Sequence, residues 1–387
     1  MKKRIRFLSV LLGAALALSC VGCGTADTNT DGAQNTSNKM DKVQQIVESM
    51  SLEDKVAQLF IVKPEAIVDI GTATAAGDST KQAIDKTPVG GFVYFSENLQ
   101  SKQQVQEMLS NVQKYSKDRT GLPAFLSVDE EGGTVARIAG SGRFDVTDVG
   151  NMADIGATGD VKQAEQAGDT IGTYLSELGF NLDFAPDADV LTNPENTVVK
   201  KRSFGSDPQV VSDMSLAVAQ GLEQHQVHSV YKHFPGHGAT EGDTHKGYAY
   251  TNKTLDELKQ SELVPFDHAI KNGAEFIMAA HISVPNITKD DTPTSLSKTM
   301  ITDVLREQMG YDGIVVTDAM NMGAVTEQYT SAQAAVKALQ AGADIVLMPE
   351  NFQEAYQGVL DAVKNGELTE QQIDTAVTRI VKVKIKM

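Results

Sequence analysis

Eight short apolar runs rich in β-branched residues alternate with longer amphipathic stretches from Met40 onward, and no other feature of the sequence limits the fold as tightly. The runs fall at residues 58–62, 91–95, 124–128, 181–185, 229–232, 275–279, 314–317 and 344–348. Between them, residues 102–115, 161–178, 208–225, 255–272, 300–308 and 330–340 place apolar side chains at helical spacing. Two of these stretches carry start signals, Ser206 or Asp207 before Pro208 and Thr254 before a charged first turn. Alternation of this kind is the pattern of a parallel sheet covered by helices. An open doubly wound sheet seldom has eight such units, and no Gly-x-Gly-x-x-Gly follows the first run. The pattern predicts an α/β fold closed into a TIM-like (β/α)8 barrel, a single domain over residues 41–387.

Such a barrel carries its chemistry at the C-terminal ends of its strands, so the residues just past each run matter most. Those positions hold Asp129 and Glu130, then Asp183 and Asp187, Lys232 and His233, His281, and Asp318. Composition narrows what they act on. With 34 Lys+Arg against 51 Asp+Glu the net charge is −17, which excludes nucleic acid or anionic lipid headgroups recognised through a broad basic surface. The absence of Trp and the 6% aromatic content argue against a long polysaccharide groove paved with indole rings, and leave a compact polar pocket.

Residues 1–23 read as an export signal, with Lys2, Lys3, Arg4 and Arg6 ahead of an apolar run at 7–18 that is too short to span a bilayer. Both cysteines of the chain, Cys20 and Cys23, lie at its end. In a lipoprotein the cysteine that follows small residues is acylated and becomes the mature N-terminus. Both positions offer an imperfect lead-in, and the abrupt change of composition at Gly24 favours Cys23. The alternative is a plain secreted signal with two incidental cysteines. Residues 24–40 form a linker, and 24–38 hold Thr, Asn, Asp, Gly and Ser with almost nothing to bury, as expected of a disordered, solvated tether. The expectation is a monomer held at the extracytoplasmic face of a membrane by an N-terminal lipid anchor, without a disulfide in the folded part.

The densest chemical segment runs from Lys232 through His233, Phe234, Pro235, Gly236, His237 and Gly238 to Asp243, Thr244 and His245. His233 and His237 have metalloprotease spacing, but Pro235 and Gly236 forbid the helix that would put both on one face. No Gly-Lys-Ser/Thr follows to cradle phosphate. No other ligand set stands out, so neither metal nor cofactor is expected, and what remains is a loop delivering a proton-transfer group. An aspartate two residues before a histidine in a turn can fix the imidazole tautomer and leave the other nitrogen as acid or base. Taken alone, such a triplet is more often a solvated turn. Asp318 follows the run 314–317 directly, where by itself it serves equally as a helix N-cap. No Ser-centred nucleophile elbow and no cysteine occur in the folded part, so carboxylate chemistry is the leading covalent option.

These residues, taken together, resemble glycoside hydrolase family 3, specifically its bacterial NagZ-type β-N-acetylglucosaminidases. The resemblance is carried by Met50-Ser51-Leu52-Glu53-Asp54-Lys55, Gly90-Gly91-Phe92-Val93, Val128-Asp129-Glu130-Glu131-Gly132-Gly133 with Arg137, and Phe184-Ala185-Pro186 with Asp187 and Asp189. It continues through Arg202-Ser203-Phe204-Gly205 with Asp207, the 232–238 stretch, Ile277-Met278-Ala279-Ala280-His281 and Thr317-Asp318-Ala319-Met320. It covers the chain from about Met50 to Lys386. One departure is Ala239, where relatives often carry an aspartate. The chain also ends soon after the eighth unit, short of the further C-terminal domain of many members.

The resemblance implies a retaining exo-β-N-acetylglucosaminidase that removes terminal N-acetylglucosamine from peptidoglycan fragments or chitooligosaccharides. It implies Asp318 as nucleophile, His245 as acid/base with Asp243 as its partner, and Asp129, Arg137, Arg202, Lys232, His233 and, more weakly, His281 as substrate-binding residues. Retaining glycosidases usually set two carboxyl groups about 5–5.5 Å apart across the bond; here an imidazole on a loop replaces the second. Two alternatives remain at this level: a phosphorylase, in which phosphate intercepts the glycosyl-enzyme, and a catalytically inactive sugar-binding lipoprotein, against which the intact Asp243, His245 and Asp318 argue.

Overall fold

The computed structural model describes residues 30–68, 70–240 and 249–387. The chain divides into two compact units, Met1–Asp41 and Lys42–Met387. In the first, the described residues are the opening turns of a helix that runs Thr30–Ser49, starting inside the stretch whose composition reads as a tether. Val43 and Val47 bury the far end of that helix in the core of the second unit. Once that end is docked, extension at the other end costs only propagation, with no new nucleus to form.

All eight apolar runs become strands: β1 Phe60–Val62, β2 Gly91–Val93, β3 Phe125–Val128, β4 Leu182–Asp183, β5 His228–Phe234, β6 Phe276–Ala279, β7 Ile314–Thr317 and β8 Val346–Leu347. They hydrogen-bond in the order β7-β6-β5-β4-β3-β2-β1-β8, every pair parallel. A parallel bridge from Val316 to Ile345 joins the two edges, so the sheet closes as the expected barrel.

Strands buried on both faces need apolar side chains at every position, which is why they read as runs rather than alternations. Inside the barrel Phe125 and Phe276 meet edge to face, 5.4 Å between ring centres; on the outside Phe60 packs at 5.4 Å against Phe352 of the helix Phe352–Lys364. The N-terminal end of the barrel is closed by a buried lysine. Lys384, from the helix Glu370–Lys384, is fully buried there and donates to Gln58 Oε1 at 2.8 Å and to the Gly90 carbonyl at 2.7 Å.

Both expected helix starts are present. Asp207 caps Pro208–Gln224 by accepting from Gln209 N at 2.8 Å, and Thr254 forms a reciprocal capping box with Glu257. The helix expected over 255–272 is instead two, Leu255–Gln260 and Val264–Lys271. Pro265 lies in the first turn of the second, where its missing N–H leaves no bond unmade. The interruption turns Glu262 into the interior, fully buried. At the C-terminal ends of the strands long connections follow: residues 129–151 after β3 and 184–207 after β4, and after β5 the described residues 235–240 and 249–254.

Candidate active site

The chain leaving β3 makes a small hairpin, Glu130–Gly132 against Val135–Ala136, which brings Arg137 back to 3.9 Å from Asp129. Glu130 holds that hairpin from below. Its carboxyl accepts from Ile138 N and Ala139 N, both at 2.8 Å, and from the Tyr174 hydroxyl at 2.9 Å, while its own N–H donates to Asp183 Oδ1 at 2.9 Å. Glu130 and Asp183 are fully enclosed, and burial pushes both carboxyls up from their ordinary values. They support the floor without facing the cavity.

In the extended hairpin strand alternate residues share a face, so Asp129 and Glu131 both turn toward Lys232 at the end of β5. The Lys232 ammonium sits 2.8 Å from Asp129 Oδ1 and 2.5 Å from Glu131 Oε1. Glu131 also takes both forks of Arg202, at 2.7 Å each. Burial would raise the Glu131 carboxyl, but Arg202 and Lys232 outweigh it and hold the group far below the usual range; burial would lower Lys232, and Asp129 and Glu131 reverse that.

Arg202 reaches in the other direction to His233, with Nη2 3.2 Å from Nε2. A guanidinium only donates, so Nε2 accepts and the ring proton sits on Nδ1, donating to Asp189 Oδ2 at 2.7 Å. Asp189 also accepts from His237 N at 2.5 Å. Asp187 and Asp189 share a face of the chain leaving β4. Burial and the neighbouring Asp189 charge push Asp187 well up, whereas His233 and His237 hold Asp189 down against its own burial. Among the described residues, Asp187, Asp189 and His233 are the set whose ligand atoms, within 4.8 Å of one another, would suit a metal ion. Arg202 Nε, 3.4 Å from Asp187, already supplies a cation there.

Asp318 lies just past β7 and accepts from Ala319 N at 2.8 Å. No helix starts at this point: the next one is Gly323–Thr326, preceded by Met322, so Asp318 is not an N-cap. Burial would raise its carboxyl, but His281, His233, the Ala319 N–H and Lys232 together hold it below the ordinary value, so it stays ionised.

These groups surround one cavity of about 710 Å³, lined by Asp129, Glu131, Arg137, Arg202, Lys232, His233, His237 and Asp318, with Lys63, Phe95, Lys201 and Met322 among its other walls. A second cleft of about 620 Å³ lies at the opposite end of the barrel, around Glu223, His228 and Glu275, on the face that serves stability in such folds.

Asp129, Arg137, Arg202, Lys232, His233 and Asp318, expected from the sequence, are thus brought together. His281 is placed differently from a substrate contact. It is fully buried, absent from the cavity wall, and its ring nitrogens face Ser295 Oγ at 2.7 Å and the Ala319 carbonyl at 2.9 Å, so it braces the backbone beside Asp318. Asp243 and His245 lie outside the described residues, as do Cys20 and Cys23. Asp187, expected only as a strand-end carboxylate, and Glu131, Asp189 and His237, for which the sequence implies no catalytic or substrate-binding role, also join the site. The paired spacing Asp129/Glu131 and Asp187/Asp189 at strand ends was the available signal.

Residues 51–383 match the glycosyl hydrolase family 3 N terminal domain. The chain is 34% identical over 331 residues to β-hexosaminidase A of Pseudoalteromonas piscicida, covering 79% of this chain and 55% of that protein, so it spans about half the length of that relative. It is 37% identical over 274 residues to β-hexosaminidase LpqI of Mycobacterium tuberculosis, with 68% of each chain covered. The structure of a glycoside hydrolase family 3 β-N-acetylglucosaminidase from a Paenibacillus species superposes with a TM-score of 0.82 at 34% identity, over 87% of this chain and 63% of that one. With that domain matched along almost the whole barrel, and its motifs gathered at a single mouth, this chain belongs to glycoside hydrolase family 3.

Proposed function

We propose that the protein is a retaining exo-β-N-acetylglucosaminidase. One observation carries the reading: of the carboxylates that line the cavity, Asp129 and Glu131 are matched by contact ion pairs with Lys232 and Arg202, whereas Asp318 has no cation in ion-pair contact among the described residues and is held ionised. A charge kept available at the cavity wall suits a nucleophile, and charges locked in pairs suit hydroxyl recognition. The kinship with β-hexosaminidases supports N-acetylglucosamine as the sugar.

In the mechanism, an Asp318 oxygen attacks the anomeric carbon as the glycosidic bond breaks. The bond's electron pair goes to the leaving oxygen, which takes a proton from His245. Water then attacks the glycosyl-Asp318 ester, gives its proton back to His245, and releases the sugar with its original anomeric configuration. Asp243 orients the imidazole and stabilises its charged form. Asp129, Arg137, Arg202, Lys232 and His233 hold the hydroxyls far from the reacting carbon, so that no fixed cation opposes the positive charge developing there.

The decisive experiment is trapping with a slow fluorinated N-acetylglucosaminyl substrate followed by peptide mass spectrometry. The label is expected on the peptide containing Asp318, and a label on another carboxylate overturns the assignment. The leader also supports acylation at Cys23 and attachment to the extracytoplasmic face of the membrane. Among the described residues no helix is long and apolar enough to cross a membrane. Radiolabelled palmitate incorporation that disappears in Cys23→Ala tests the anchor, and label lost only in Cys20→Ala would move it to the earlier cysteine.

A further inference from the structure

We propose that Glu262 is a positioning residue for the proton-transfer segment: a buried carboxylate that fastens both ends of the chain around Asp243 and His245 to the barrel. The inference rests on the role proposed above for His245.

Glu262 occupies the interruption between Leu255–Gln260 and Val264–Lys271, and is fully buried. Its Oε1 accepts from Thr192 Oγ1 at 2.6 Å and from the Lys253 ammonium, and its Oε2 accepts from Ser261 Oγ. Lys253 Nζ also reaches Thr192 Oγ1 at 3.2 Å. An ion pair with one partner fully buried is stable only while both partners stay in place.

Of these partners, Lys253 closes the trailing side of the catalytic connection, and Thr192 lies in the loop after β4 that holds its leading side. On the leading side, Gly236 passes directly over Glu262: it has φ +133°, and a Cβ added there would meet Glu262 Cβ at 2.5 Å. The next residues are gripped by the loop after β4. Asn193 N donates to the Gly238 carbonyl at 2.9 Å, Asn196 Nδ2 to the His237 carbonyl at 2.8 Å, and Asn193 Nδ2 to the Thr240 carbonyl at 2.9 Å. On the trailing side, Ala249–Tyr250 pairs in parallel with Ile282–Ser283, Thr251 N donates to the Ser283 carbonyl at 3.1 Å, and Lys253 follows. Thr192 adjoins Asn193, so Glu262 links the loop that grips the leading side to the lysine that ends the trailing side.

Fixing the two ends limits where a short connecting segment can present its side chains, because each added degree of freedom at the ends lowers the fraction of molecules with the proton donor in reach. A carboxylate in this place therefore acts on the acid/base step through His245 and not on the sugar.

The test compares wild type, Glu262→Gln, Thr192→Val and His245→Ala on chitobiose and on a dinitrophenyl N-acetylglucosaminide, with thermal melting of each. General acid catalysis is worth about 10²–10⁴-fold on a poor leaving group and little on one that departs unprotonated. Glu262→Gln is expected to slow chitobiose cleavage by about 10- to 100-fold while the first step with the dinitrophenyl substrate changes less than about threefold, a smaller copy of the His245→Ala pattern. Thr192→Val, which keeps the charge pair, should show the same split more weakly and serves as the readout if Glu262→Gln does not fold. Equal losses on both substrates, or none on either, in a folded variant overturn the proposal. If His245→Ala itself shows no leaving-group dependence, the acid/base reading fails and the role of Glu262 falls with it. A split in His245→Ala without one in Glu262→Gln rejects only the positioning role.

Discussion

Arg202 presents both forks of its guanidinium to Glu131, Nε to Oε2 and Nη2 to Oε1, each at 2.7 Å, across 71 residues of sequence. Glu131 gives its Oε1 at the same time to Lys232, so one buried anion organises two cations that face the sugar pocket. Asp129 also pairs with Lys232 and Asp187 with Arg202, but Glu131 is the anion that both cations share.

Replacing that anion is expected to cost both stability and recognition. Glu131→Gln leaves Arg202 and Lys232 confronting each other, and breaking a buried pair typically costs about 3–5 kcal/mol. The midpoint of urea unfolding should fall accordingly. Arg202→Lys should fold better but lose the planar double contact, raising KM about 12- to 150-fold, the worth of about 1.5–3 kcal/mol for a charged hydrogen bond. A KM within twofold of wild type in Arg202→Lys would show that the fork serves the fold alone.

The leaving group should decide how much His245 matters. His245→Ala is expected to cleave a disaccharide about 10²–10⁴-fold more slowly. With a dinitrophenyl leaving group it should show a burst followed by slow release, because the second step still lacks its base. Asp243→Asn should give a milder version. Equal losses on both substrates without a burst would move the proton donor elsewhere, with Glu241 the next residue to replace.

His237 offers a contact that can be measured by inhibition. Thr240 Oγ1 donates to the His237 carbonyl at 2.9 Å and accepts from Nδ1–H, also at 2.9 Å, while Nε2 is buried without a hydrogen-bond partner among the described residues. Burial lowers the ring pKa, so Nε2 keeps its lone pair. Asn at this position preserves a donor to Thr240 and removes the acceptor. His237→Asn should weaken N-acetylglucosamine inhibition about 2- to 12-fold, the value of about 0.5–1.5 kcal/mol for a neutral hydrogen bond. An unchanged inhibition constant would mean that Nε2 does not meet the sugar.

Lys384 makes stability depend on pH in a defined direction. Burial holds its ammonium down to about 7 from the ordinary 10.5. Between those values the unfolded chain binds the proton and the folded chain does not, so this group adds stability as pH rises from about 7 to 10.5, by up to about 1.4 kcal/mol per pH unit. Lys384→Met should remove that rise, at the separate and pH-independent cost of taking the lysine donor from Gln58 Oε1 and leaving the Gly90 carbonyl with Phe125 N alone. Urea unfolding of both proteins at pH 7, 8 and 9 measures the difference, and parallel pH profiles would contradict it.

Features that depend only on near neighbours along the chain are legible in the sequence. The eight strands were legible because their doubly buried positions are mostly apolar, with exceptions such as Asp183 and Lys232, and the starts at Asp207 and Thr254 because a cap acts within one helical turn. Asp318 was legible as a carboxylate after a buried strand, but whether it capped a helix depended on where the next helix began, at Gly323. The apolar spacing of 255–272 continues across the break before Val264, for which Pro265 was the legible signal, whereas the burial of Glu262 beneath Gly236 was not legible. Tertiary structure alone decided the pairings. Glu131 with Arg202, Lys232 with Asp129, His233 with Asp189 and His281 with the backbone beside Asp318 join residues 38 to 103 positions apart. Local pattern fixes which face a side chain takes, but which charge it meets there is set only when the barrel closes and brings the ends of different strands within contact distance.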